Sequence, residues 1–129
     1  MDKISEKDKQ LIEVVCDAMD EKSGGNIVLL SPGSASSVAD HYVIAGAESE
    51  PQLRAMASFV ERKVREVLQI RPLSEPSDSS SGWVLLDYGN VLVHMMTVEA
   101  RERYDLEGLW GKNPAAPELL EKLQERKNP

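Results

Sequence analysis

A chain of 129 residues and 14.3 kDa is the size of one domain, long enough to bury roughly 65–70% of its extended surface. Its net charge of −7 and pI near 4.8 argue against a nucleic acid gripped through its phosphates, which calls for a basic face. Cys16 is the single cysteine, so an internal disulfide is excluded and nothing points to an oxidising compartment.

Acidity suits docking on a basic protein, because opposite potentials steer encounter and fix register. It also serves plain solubility, and charge alone leaves both readings open. No charged-then-apolar leader opens the sequence, and no apolar run approaches the ~20 residues of a membrane span. A cytoplasmic location without membrane contact is expected.

In chain order, Ser5 is placed to cap a helix, with Glu6 and Asp8 in the first turn, where a helix N-terminus favours negative charge. Leu11, Val14, Val15, Ala18 and Met19 then recur at helical spacing. Cys16 falls within this pattern and reads as a small buried hydrophobe. Ser23-Gly24-Gly25-Asn26 stops the helix, with glycine expected in the left-handed conformation of the helix end. The run Ile27-Val28-Leu29-Leu30 reads as a strand covered on both faces, which predicts a place in the middle of a sheet. Ser34 to Asp40 is expected as a loop with a turn of helix, and Tyr42-Val43-Ile44-Ala45, closed by Gly46, as a second strand.

Ser49-Glu50-Pro51-Gln52 marks a second helix start: Ser49 can cap, Gln52 completes a capping box, and Pro51 sits where a missing N–H costs nothing. Leu53, Met56, Ala57, Val60, Val64, Val67 and Leu68 give it one apolar stripe. Arg54, Glu61, Arg62, Arg65 and Glu66 form its solvated face. Ile70 to Leu73 is expected as a short edge strand, since Pro72 lacks a ladder donor. Ser74 to Gly82 is a polar low-complexity run read as a mobile loop.

Trp83–Leu86 and Val91–Met96 flank Asp87-Tyr88-Gly89-Asn90, the pattern of an antiparallel hairpin. A helical segment follows from near Thr97, leading to Tyr104 and Trp110. Glu118 to Lys127 reads as a weakly helical tail. The domain is expected over residues 1–111, with a C-terminal tail at 112–129. Elements in this order predict an α/β (α+β) domain, a mixed sheet with helices packed on it. Apolar surface left on the hairpin's second face would be available to a partner.

Enzyme chemistry finds little support. Cys16, His41, Asp40, His94 and Asp87 show no spacing that assembles a nucleophile, base and acid. No C-x-x-C or H-x-x-x-H pair suggests a metal, and neither a Walker loop nor G-x-G-x-x-G suggests a nucleotide cofactor. Strand alternation puts Leu92, His94 and Met96 on one face, and a histidine between apolar neighbours is usually a hydrogen-bonded sheet residue or part of an interface. Trp83, Tyr88, Tyr104 and Trp110 serve equally well as core or as the aromatic centre of an interface, rimmed by Asp87, Glu99, Glu102, Asp105 and Glu107.

These residues resemble the ribosomal silencing factor family (RsfS, or Iojap). The similarity is carried by Ser36 to Ile44, by Gln52 to Ala57, by the closing Tyr104 to Gly111, and above all by Trp83 to His94, W-V-L-L-D-Y-G-N-V-L-V-H. The resemblance implies a nucleotidyltransferase-like fold with no enzymatic activity, metal or cofactor. It implies binding to the large ribosomal subunit through ribosomal protein uL-fourteen, with little direct RNA contact. Such binding would block an intersubunit bridge, stop the subunits joining and repress translation. A homodimer is implied for the free protein. The expected contact is Trp83, Leu85, Asp87, Tyr88, His94, Met96 and Tyr104, with Asp40 and Glu99 on the acidic rim. Two alternatives are a large-subunit assembly factor and a metal-dependent nucleotidyltransferase with Asp40 and Asp87 as ligands. The second lacks the pair of alternating acids that such enzymes carry on one strand, since Asp40-His41-Tyr42 offers no second carboxylate.

Overall fold

The computed structural model describes residues 5–30, 41–76 and 79–104. Helix α1 (Glu6–Glu21) leads to strand β1 (Gly25–Leu30). Strand β2 (His41–Ala47) precedes helix α2 (Glu50–Leu68), and a 3-10 turn at Ser79–Ser81 precedes strands β3 (Trp83–Asp87) and β4 (Val91–Thr97) and helix α3 (Val98–Tyr104). The sheet order is β1-β2-β4-β3, with β2 and β4 parallel at the centre and each outer strand antiparallel to its neighbour. The expected mixed sheet with helices packed on it is the fold observed.

Helix α1 starts as its sequence predicts, with Ser5 Oγ accepting from the Asp8 N–H at 3.1 Å. Its end differs from expectation. Ser23, not a glycine, takes the left-handed conformation, at φ 64°. The Gly24 and Ser23 N–H groups donate back to the Met19 and Asp20 carbonyls at 2.7 and 3.0 Å, the paired hydrogen bonds of a Schellman ending. Gly24 is needed for closeness instead, because a Cβ there would lie 2.9 Å from the Met19 carbonyl oxygen.

In α2, Ser49 Oγ caps the Gln52 N–H at 3.2 Å, while Gln52 Oε1 accepts from the Glu48 N–H at 2.7 Å. Gln52 Nε2 also donates to the Lys22 and Ser23 carbonyls, tying the start of α2 to the end of α1. The predicted stripe is buried through Val64, but Val67 in the last turn is exposed.

Both long helices cover one sheet face. Ile27 and Leu29, Val43, Ala45 and Ala47, Val84 and Leu86, and Val91, Val93 and Met95 point to them and join Leu11, Val15, Cys16, Met19, Leu53, Met56, Val60 and Val64 in the main core. The other face gathers Tyr42, Ile44, Leu92 and Met96 with Ala100 of α3, and Val28, Trp83 and Leu85 pack around them.

That double coverage explains why β1 reads as a central strand yet stands at the edge. Ile27 and Leu29 meet one cluster and Val28 the other, but burial of both faces does not fix lateral position. The central places belong to β2, buried at every residue, and to β4, buried at all but its last. Ile70 to Leu73 is no strand; it makes one ladder-like bond, from Leu73 N–H to the Asp87 carbonyl at 2.7 Å. The missing donor of Pro72 prevents that bond from becoming a row.

Candidate functional site

The hairpin β3–β4 turns on two residues, Gly89 and Asn90, closed by the Tyr88 N–H to the Val91 carbonyl at 3.0 Å. Gly89 has φ 89°, as the first position of a type II′ turn requires. Asp87 Oδ1 accepts from the Gly89 N–H at 2.9 Å and stiffens the corner. With the turn set, register follows: Trp83 faces Met96, Leu85 faces His94 and Asp87 faces Leu92. Alternation sends Trp83, Leu85 and Asp87 to the face away from the long helices, and all three are half-buried.

Behind this row the face is closed. Leu92, His94 and Met96 are 5%, 3% and 0% exposed. The Trp83 Nε1–H donates to His94 Nδ1 at 3.0 Å. The imidazole lies between the rings of Trp83 and Tyr42, with centroids 5.6 and 5.5 Å away. Burial pushes the His94 pKa down to about 4, so the ring is neutral at neutral pH. Since Nδ1 accepts, the hydrogen-bond pattern assigns its proton to Nε2.

The expected contact residues therefore divide. Trp83, Leu85 and Asp87 form one continuous half-buried row. His94 and Met96 share their sheet face but are enclosed, because Tyr42, Trp83 and α3 pack over it; they support the row rather than extend it. Tyr88 lies on the opposite side, against the main core, where it continues the alternation of Val84 and Leu86 out of phase with Trp83, Leu85 and Asp87. Its hydroxyl is buried with no hydrogen-bond partner among the described residues. Burial, then Glu61, raise the Tyr88 pKa well above the usual phenol range, and Arg65 opposes them. Glu99 is exposed in the first turn of α3 and pairs with Arg103 at 3.4 Å. Asp40 and the Tyr104 side chain lie outside the described residues, as do Trp110 and the C-terminal tail.

Leu73, in the segment expected as an edge strand, is 72% exposed; its N–H bonds to the Asp87 carbonyl at the outer edge of β3, and its side chain lies near Gly89 of the turn. Arg101 reaches from α3 to the Gly25 and Asn26 carbonyls at 3.1 and 2.7 Å. A cleft of about 360 Å³ lies there, lined in part by Gly46, Ala47, Glu48 and Val98. Among the described residues no group of three or more His, Cys, Asp or Glu gathers as a metal site would, and no helix is long and apolar enough to cross a membrane.

The family model described as ribosomal silencing factor during starvation matches residues 5–129. The chain belongs to the ribosomal silencing factor family. The ribosomal silencing factor of Bacillus subtilis is 33% identical over 109 residues, 84% of this chain and 91% of that protein. That of Halalkalibacterium halodurans is 32% identical, over 82% of this chain and 90% of that protein. A crystal structure of a Chromobacterium violaceum protein superposes with a TM-score of 0.74 at 28% identity, covering 84% of this chain and 88% of that one. The mouse protein named mitochondrial assembly of ribosomal large subunit protein 1 is 25% identical over 77% of this chain, which spans 44% of its length. Membership agrees with what the Trp83 to His94 motif implies.

Proposed function

We propose that this protein represses translation by occupying the large ribosomal subunit through ribosomal protein uL-fourteen, blocking an intersubunit bridge so that the subunits cannot join. The observation that carries the reading is the row Trp83, Leu85 and Asp87 on a sheet-edge strand. It offers an aromatic, an aliphatic and an acidic group at alternating positions. An apolar centre with an acidic rim suits a basic ribosomal protein, and the net charge of −7 steers the approach. Glu99, Asp40 and Tyr104 are also counted as contact residues, on the family resemblance. His94 and Met96 lie beneath it, and Tyr88 is outside it. The protein acts in the cytoplasm without catalysis, makes little direct contact with RNA and is a homodimer when free.

Purified small and large subunits sedimented with and without the protein test this. Expected is a loss of the joined particle, with the protein travelling on the large subunit. Unchanged joining, or no binding to the isolated large subunit, overturns the proposal.

The name of the mouse relative favours a second reading, a factor for large-subunit assembly using the same surface. Depleting the protein separates the two: assembly predicts accumulation of immature large subunits, and silencing alone predicts mature ones.

A further inference from the structure

On the sheet face that carries Trp83, a leucine or valine at position 94 would fill the space without the desolvation cost of an imidazole. What the imidazole adds is one acceptor at a fixed place. His94 is 3% exposed, with its ring between Tyr42 of β2 and Trp83 of β3, so the three rings form a row across three adjacent strands. The donor it receives, 3.0 Å away, is the one polar atom of the Trp83 side chain. Met96, directly opposite Trp83 in the ladder, is wholly buried and closes the space on that side.

We infer that His94 is a positioning residue for the docking surface, holding the Trp83 indole through Nδ1 in the one pose that meets the partner. The inference rests on the reading of Trp83 as a contact residue. An indole fixed before the encounter loses little rotational freedom on binding, whereas a free one must be ordered at that moment. Burial keeps His94 neutral across the physiological range, so the acceptor is always present. An enclosed side chain thus governs affinity without touching the partner.

The test uses the full chain carrying Trp110→Phe, which leaves Trp83 as the sole indole. His94→Leu removes the acceptor and keeps apolar bulk. His94→Asn keeps an oxygen near the place of Nδ1. Two quantities are read: the indole N–H proton resonance of Trp83, and affinity for isolated large ribosomal subunits. Expected for His94→Leu is an upfield move of the resonance and about a tenfold loss of affinity, the size of one buried hydrogen bond. His94→Asn should restore both, with affinity within about threefold of the parent.

A moved resonance with parental affinity in His94→Leu overturns the inference and leaves the surface standing. Parental affinity in Trp83→Ala brings down the surface itself. If His94→Leu does not fold, Trp83→Phe removes the donor and keeps a ring. It should again bind about tenfold more weakly, and parental affinity there also overturns the inference.

Discussion

The indole of Trp83 directs its only polar atom inward, to His94, and leaves part of its apolar surface at the sheet edge. Aromatic side chains in that situation dominate docking energetics, because a large area leaves water at little entropic cost. Trp83→Ala should weaken binding to large subunits by about 2 kcal/mol or more, read as the fraction that co-sediments. Tyr88 is the opposite case, since its hydroxyl is buried with no partner among the described residues. Tyr88→Phe removes a desolvated group and keeps the ring. Thermal unfolding should show a gain of up to about 1 kcal/mol, with ribosome binding unchanged.

Single elements show which local signals survive folding. Ser5, Ser49, Gln52 and Pro51 announce both long helices because capping is a matter of a few adjacent residues. The end of α1 was legible only as an end. Which residue takes the left-handed geometry depends on Gly24 having to clear the Met19 carbonyl, and composition does not encode that distance. Ser23→Gly should therefore stabilise by about 0.5–1 kcal/mol, seen as a higher urea midpoint at constant slope. Alternation put His94 on the correct face, but its bond to Trp83 needs the exact two-residue turn. Tyr88 counts as a contact by its aromatic character, whereas the alternation of Val84 and Leu86, carried one step further, already sends it to the helix side. Nothing in the sequence pairs Arg101 with carbonyls 75 and 76 positions away. Arg101→Met should loosen α3 by about 1 kcal/mol, measured as faster amide exchange in α3 than in β4.

Across the whole molecule, acid should act through the buried face of the sheet. His94 titrates near 4 when folded and at its ordinary 6.5 when unfolded. As pH falls through 6.5 the unfolded chain takes up the proton first, and the native state loses ground until its own ring protonates near 4. The contribution is complete above pH 6.5 and amounts to about 3 kcal/mol. Urea unfolding of the parent and of His94→Asn between pH 7 and 4 should show this part of the slope only in the parent.

The central ladder also governs the order of events during folding. His41 pairs with Val91 and Ala47 with Thr97, partners about fifty residues apart, with α2 and β3 between them. Closing such a span costs about 3–4 kcal/mol of chain entropy before the first bond forms, whereas the hairpin closes over two residues. A nascent chain still lacking Val91–Thr97 has only β1 to pair with β2, and nothing for Trp83 to rest against. The proposed docking row thus waits on the synthesis of β4 and not on the costly closure of the central ladder, so a copy of the chain that stops short of Val91 has no seat for the Trp83 indole.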